Sequence, residues 1–409
     1  MPPVIALLGA LDTKGDEYRF LKDRLESSGL RTWLIDVGVL SDPALQPDTP
    51  ARSVALAAGA DLEELRSARD RGHAVTVMGR GARSVLGELH AEGKIQGVIA
   101  LGGTGGTSVA CEAMRALPLG VPKVMVSTAA GGDVSGYVGV ADIVMVPSVV
   151  DVAGINRVSR EVFARAAGAI AGMVQADIPR GEERPVIAAS MFGNTTPCID
   201  LAREELDKAG YDTLVFHCTG NGGRTLESLV RAGRVAGVLD LTTTEWADEI
   251  VGGVFAAGPE RLSAAALTGT PAVIAPGCLD MVNFNAPETI PDRFAGRTFY
   301  RHNPNVTLMR TSPAECRAIA QAMAEQINRS TGPVTVLIPH HGVSMIDLEG
   351  QPFHDPEATE ALFDTLKEAL RPDIPVLERD CAINDPAFAR EAVRRLLEAI
   401  DAKPAPGTL

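Results

Sequence analysis

The run Gly97-Val98-Ile99-Ala100-Leu101-Gly102-Gly103-Thr104-Gly105-Gly106-Thr107 holds the residues best suited to bind an anion. A short apolar stretch, the mark of a buried parallel strand, passes into glycines and threonines, with a helix expected from Val109. A strand, a glycine-rich turn and a helix N-terminus present outward-pointing N–H groups in the positive end of a helix dipole. Glycine lets a phosphate approach the backbone, and threonine hydroxyls add hydrogen bonds. The run is not G-x-x-x-x-G-K-[ST], and the G-x-G-x-x-G fit fails, position 107 being Thr. By itself it also reads as a tight strand–helix turn without a ligand. Asp12-Thr13-Lys14 follows the first predicted strand, and Lys14 would bring a point charge to a phosphate. Asp12 or Asp133 would hold Mg²⁺ through water. Ser127-Thr128 closes another predicted strand.

The second half carries more side chains able to do acid–base chemistry. Glu245, Asp248, Asp280, His302, Asn303, Arg310, His340 and His341 fall at or beside predicted strand ends. A carboxylate and a histidine near an arginine would abstract a proton from, or cleave, a small acid. Glu245, His302 and Arg310 are the catalytic candidates, although each residue type also serves in ordinary structural pairs. In a doubly wound sheet the loops after parallel strands open on one edge, so Thr242, Thr243, Glu245, His302, Asn303 and Arg310 are expected to converge. No H-E-x-x-H or other metal-ligand spacing is present, and no G-x-S-x-G elbow, so a metal site cannot be assigned and a serine hydrolase is disfavoured. Cys218 and Cys278 also fall at strand ends, but all six cysteines are scattered without a C-x-x-C pair, as expected for reduced core thiols.

These residues must be positioned by more than one core, because 409 residues exceed what one hydrophobic core organises. A net charge of −14 and few aromatics (4%) argue against a nucleic-acid surface and a base-stacking platform. The start MPPVIALLGALD lacks a basic leader region, and no stretch approaches the length needed to span a bilayer, so a cytoplasmic protein without a membrane partner is expected. The segment after Ile400 is expected to pack loosely.

Strands are expected at Val4–Leu8, Thr32–Val37, Val98–Leu101, Pro122–Val126 and Asp142–Val146, with helices over 16–28, much of 51–93 and 150–173. Gln175 to Arg184, polar and carrying Pro179 and Gly181, is the expected linker between domains at 1–180 and 184–409. The second half repeats the first. Val186-Ile187-Ala188 matches Val4-Ile5-Ala6, Leu214–His217 matches Leu34–Val37, and Gly237-Val238-Leu239 matches Gly97-Val98-Ile99. The offset is 182 at the first strand (186 − 4) and 140 at the third (237 − 97), so the first half carries about 40 extra residues, the stretch 51–93. Further strands are expected at Val306–Met309, Val334–Ile338 and Val376–Glu378. The fold class is therefore α/β: two doubly wound, Rossmann-like domains related by internal duplication.

Asp12-Thr13-Lys14, Gly102 to Thr107, Ser127-Thr128, Asp151 to Asn156, Met191 to Thr196, Asp240 to Glu245, His302-Asn303-Pro304 and Leu308 to Thr311 together resemble the ATP-binding domain family of the tomato mosaic virus resistance protein. The resemblance covers nearly the whole chain, but not the barrel domain that the plant protein adds. It implies two Rossmann-like domains, ATP binding in the first and a homodimer. The cofactor-binding candidates are then Asp12, Thr13, Lys14, Gly102, Gly103, Thr104, Gly105, Gly106, Thr107, Ser127 and Thr128. Antiviral action belongs to a host–virus pair and is not carried over. The expected function is a nucleotide-dependent enzyme acting on a small carboxylate or phosphate substrate at the second domain. The alternatives are a nucleotide-gated interaction module, or an enzyme whose glycine-rich turn takes a substrate phosphate.

Overall fold

The apolar run Val4–Gly9 forms β1, buried along its whole length as a central parallel strand must be. The computed structural model describes residues 2–43, 45–179, 181 and 183–402. The chain divides into two compact units, Met1–Arg180 and Gly181–Leu409.

In the first unit, β1 is followed by α1 (Leu11–Ser27), β2 (Arg31–Asp36), α2 (Ala51–Ala57), α3 (Leu62–Ala68), α4 (Arg71–Ala91), β3 (Gly97–Gly102), α5 (Thr104–Met114), β4 (Lys123–Ser127), α6 (Ser135–Val138), β5 (Val144–Pro147) and α7 (Arg157–Gln175). The five strands are parallel, in the order β2-β1-β3-β4-β5. Alternation along the strands sorts the core into two layers. Ala6, Leu8, Val98 and Ala100 join a cluster with residues of α2 to α5, and Ile5, Leu7, Ile99 and Leu101 join one with residues of α1 and α7. Both faces are covered, so the unit is doubly wound.

The second unit runs β6 (Val186–Met191), α8 (Thr196–Lys208), β7 (Asp212–His217), α9 (Asn221–Arg231), β8 (Gly237–Thr242), α10 (Glu245–Val251), α11 (Ser263–Thr268), β9 (Ala272–Gly277), β10 (Met281–Phe284), β11 (Phe299–Asn303), β12 (Val306–Arg310), α12 (Pro313–Ile327), β13 (Val334–Pro339), α13 (Pro356–Ala369), β14 (Val376–Arg379) and α14 (Pro386–Asp401). Six strands form a parallel sheet, β14-β13-β9-β8-β6-β7. Read from β7, its first five strands repeat the order of the first unit. The register repeats too: Ile5 faces Gly97 and Ile187 faces Gly237, while Val98 faces Lys123 and Val238 faces Ala272.

Several expectations need correction. The pairing of Leu34 with Leu214 is one residue out, because Leu7 faces Leu34 whereas Ala189 faces Val215. Two apolar runs cannot fix a register, whereas the left-handed glycines before them, Gly29 and Gly210, can. The segment after β1 is the start of α1, bent at Lys14, not a loop. The helix predicted over 150–173 begins at Arg157, where Asn156 and Ser159 form a capping box. The strand near Val306 does not enter the parallel sheet: β12 lies between β10 and β11 in a separate antiparallel one. Arg180 and Glu182 of the expected linker, and residues 403–409 of the expected tail, lie outside the described residues. No described helix is long and apolar enough to cross a membrane.

Candidate functional site

In the first unit the strand order reverses between β1 and β3, and in open parallel sheets ligands settle at such a crevice, outside the strands' carboxyl ends. Gly103, directly after β3, is the N-cap of α5, so Thr104, Gly105, Gly106 and Thr107 form the first helical turn and no separate loop. No side chain caps this helix. Thr104 and Gly106 are exposed. Gly102 is favoured by packing, since a Cβ there would press on the Cα of Gly106 at 3.0 Å. Thr107 and Ser127 are buried and serve each other: their hydroxyls are 2.6 Å apart, Thr107 Oγ1 reaches the Gly103 carbonyl at 2.8 Å, and Ser127 Oγ accepts from the Ala129 amide at 2.9 Å. They brace the turn, while Thr128 stands exposed beside it.

The crevice is fixed from below by a residue the sequence gives no reason to select. The Tyr18 hydroxyl accepts from the Leu101 amide at 2.8 Å and donates to the Leu8 carbonyl at 2.5 Å, tying the ends of β1 and β3. Burial drives its pKa up. Gly9 leaves room for it, because a Cβ there would fall 2.0 Å from the hydroxyl. On the α1 side, Asp12 Oδ2 accepts from the Leu40 amide at 2.8 Å, and its Oδ1 is buried with no hydrogen-bond partner among the described residues. Thr13 is exposed, its hydroxyl 3.4 Å from the Ala10 carbonyl. The Lys14 ammonium donates to the Val152 carbonyl and is thereby committed within the unit. Asp133 is exposed and accepts from the Ser135 amide at 2.9 Å. No group of three or more metal-binding side chains occurs among the described residues.

Beside α5 lies a cavity of about 780 Å³ lined by Thr76, Arg80, Ser108, Arg115 and Tyr137, among others. It shares only Ser108 with the first two turns of α5, so the cavity adjoins the glycine run without containing it. Arg71 lies at the turn itself: its Nη2 is 3.5 Å from where a Cβ on Gly105 would sit. Arg71 and Arg80 fall in the expected helical stretch 51–93, where no motif marks them. Their place on α4, which packs on α5, was not legible from spacing.

In the second unit the candidate residues separate into different networks. Glu245 opens α10 and is buried. Its Oε1 accepts from the amides of Gly220 (2.7 Å) and Gly223 (3.0 Å), and its Oε2 from Arg261 Nε (2.7 Å). Arg261, 1% exposed, also grips Asp240 through two nitrogens (2.5 and 2.6 Å) and reaches Glu227 (3.3 Å). The run Gly220-Asn221-Gly222-Gly223 after β7 is a second glycine-rich helix start. Its glycine cluster could have been read from sequence, but not its occupant, the protein's own carboxylate. Gly223 has no alternative, since a Cβ would lie 1.9 Å from Glu245 Oε2.

Arg310 ends β12 and is buried elsewhere. It donates to the Phe353 carbonyl (2.7 Å), Thr311 Oγ1 (2.8 Å), Thr359 Oγ1 (2.9 Å) and Asp347 (3.2 Å). His302 and Asn303 lie exposed on β11. The expected convergence of Glu245, His302 and Arg310 therefore does not form. The rule that strand ends share one edge holds for the parallel sheet, and β11 and β12 are outside it. Thr242 and Thr243 are buried and bonded to Thr195 and the Ala275 carbonyl. Cys218 and Cys278 are fully buried, and burial pushes both thiols up, away from the thiolate a nucleophile needs. Asp248 accepts from Asn283 Nδ2 at 2.6 Å and is pushed up to about 7 by burial. His340 pairs with Glu378 (2.7 Å) and His341 with Asp380 (2.6 Å), all partly or fully exposed.

Comparison with known proteins bears on both units. Residues 3–179 match the "Uncharacterised protein family (UPF0261) N-terminal domain" and residues 184–400 the corresponding C-terminal domain. The chain belongs to the UPF0261 family. A UPF0261 protein of Clostridium tetani is 48% identical over 399 residues, 97% of this chain and 99% of that one. The ToMV resistance protein Tm-1(GCR237) of Solanum lycopersicum is 40% identical over 421 residues, 97% of this chain but 56% of the tomato protein. Among solved structures, a UDP-N-acetylglucosamine 2-epimerase from Rickettsia bellii aligns over 98% of both chains at 10% identity and a TM-score of 0.25, too loose to carry an argument.

Proposed function

We propose that the first unit binds a nucleotide, with ATP as the ligand the family resemblance points to, and that its phosphates rest on the first turn of α5. The observation that carries this reading is a contrast between two glycine-rich helix starts. At Gly220–Gly223 the backbone amides hold a carboxylate the protein supplies itself, Glu245. At Thr104–Gly106, at the switch point of the other sheet, no side chain caps the helix. Arg71 and Arg80, which form no ion pair among the described residues, supply charge beside it, and the adjoining cavity has room for the nucleoside. Asp12 suits a water-bridged Mg²⁺ better than Asp133, because one of its carboxylate oxygens is buried without a partner, whereas Asp133 is exposed to solvent. The homodimer implied by the resemblance belongs to this reading.

Of the functional classes considered for the second unit, a nucleotide-gated binding module is favoured over catalysis by Glu245 and Arg310. Both side chains are consumed by internal pairs. The test is calorimetric titration of the full chain with ATP and adenosine, with and without Mg²⁺. ATP binding that falls at least about tenfold in Arg71→Ala supports the reading. Equal affinity for ATP and adenosine removes the phosphate site from it.

A further inference from the structure

The antiparallel sheet of the second unit, which the nucleotide reading does not use, carries a cavity of about 420 Å³ on one of its faces. Its lining follows from strand register. Arg301 on β11 stands directly opposite Thr307 on β12, and alternation places Phe299 on the same face. Across the cavity lie Ile290, Pro291 and Phe294, from the segment between β10 and β11. Phe294 is itself fixed, with its ring 5.4 Å from that of Phe284. The walls are therefore largely apolar, and Phe294 ties them to the core.

Three polar side chains break this surface, Thr307, Arg301 and Asp292, and none has a side-chain partner among the described residues. Thr307 is 3% exposed, yet its Oγ1 makes no hydrogen bond. A buried hydroxyl left unmade is a standing cost, normally removed by a neighbour, a water or a ligand. Arg301 is exposed at the mouth and forms no ion pair or side-chain hydrogen bond, in a chain with 52 acidic residues against 38 basic ones. Asp292 also lines the cavity but does not pair with it. An apolar slot, a buried hydroxyl and a free guanidinium fork, all on one face, match a small organic acid. The carboxylate would meet Arg301 in a two-toothed contact, and one of its oxygens would accept from Thr307. The volume, about 420 Å³, is at the small end for ligand pockets and suits a small acid.

We infer that this face of β11 and β12 is a binding site for a small carboxylate with an apolar body. The site is independent of the nucleotide site and needs no residue of the first unit. The test uses the full chain with 3-phenylpropionate and its neutral isostere 3-phenylpropanamide, followed by ligand-observed NMR and calorimetry. The acid should bind, with the amide at least about tenfold weaker. Arg301→Gln, an exposed change that leaves the fold alone, should bring the acid down to the affinity of the amide. Thr307→Val, nearly isosteric, should weaken the acid severalfold and raise the melting temperature of the unliganded protein, because it removes the unsatisfied hydroxyl. Absence of acid binding up to about 10 mM, equal binding of acid and amide, or an Arg301→Gln variant that binds like the parent would each overturn the inference.

Discussion

Gly105→Ala separates what the first turn of α5 does for stability from what it does for a ligand. The added Cβ would lie 3.5 Å from Arg71 Nη2 and 3.7 Å from Val75 Cγ2, both ordinary contacts with side-chain ends. The residue is helical with no left-handed φ, so no backbone strain is added. Alanine in place of glycine should therefore stabilise the protein by about 0.4–1 kcal/mol, chiefly by narrowing the unfolded ensemble. For a unit of this size that is a rise of roughly 1–4 °C in melting temperature. A phosphate resting on the turn meets the opposite effect. The methyl group holds it off the backbone and weakens one charge-assisted hydrogen bond, worth about 1.5–3 kcal/mol, or roughly 10- to 100-fold in affinity. Thermal unfolding without ligand and calorimetry with ATP measure the two effects on the same sample. A stabilised variant that binds ATP like the parent would refute the proposed placement of the phosphates. A destabilised one would refute the helical reading of the turn.

Arg261→Met should destabilise the protein by about 3–5 kcal/mol in urea unfolding, because Asp240 and Glu245 would remain buried without their cation and Glu227 would keep only Arg231, at 3.7 Å. Tyr18→Phe should cost about 1–3 kcal/mol by the same measurement, since the Leu101 amide would lose its acceptor inside the core. The Asp248 carboxyl, raised to about 7 by burial, keeps a proton in the folded state that the unfolded chain releases near pH 4. Its contribution to stability therefore falls as pH rises from about 4 to about 7, by up to about 1.4 kcal/mol per unit, and is flat above. Asp248→Asn should flatten that slope in unfolding curves taken at pH 5, 6, 7 and 8. An unchanged slope would show that Asp248 ionises normally.

Periodicity and punctuation are local, and what they encode was legible in the chain itself. Val4 to Leu8 and Val98 to Leu101 read as buried strands, and the order of strand and glycine signals in the two halves announced a repeated topology that the registers of β1, β3, β6 and β8 match. The glycine run after β3 likewise announced a helix start, though the helix opens at Thr104, inside the run, rather than at Val109. Partners distant in sequence are not encoded that way. A run such as Val306 to Met309 is equally apolar in a parallel or an antiparallel sheet, so only the tertiary fold put β12 between β10 and β11 and buried Arg310 against Asp347. Lys14 reads as a free phosphate ligand until the fold brings it to the carbonyl of Val152, 138 residues on. Glu245 reads as a catalytic base until Gly220, Gly223 and Arg261 close around it. A charged side chain takes its role from whatever desolvates and pairs with it, and that is settled by packing between elements rather than by the residues next to it in the chain.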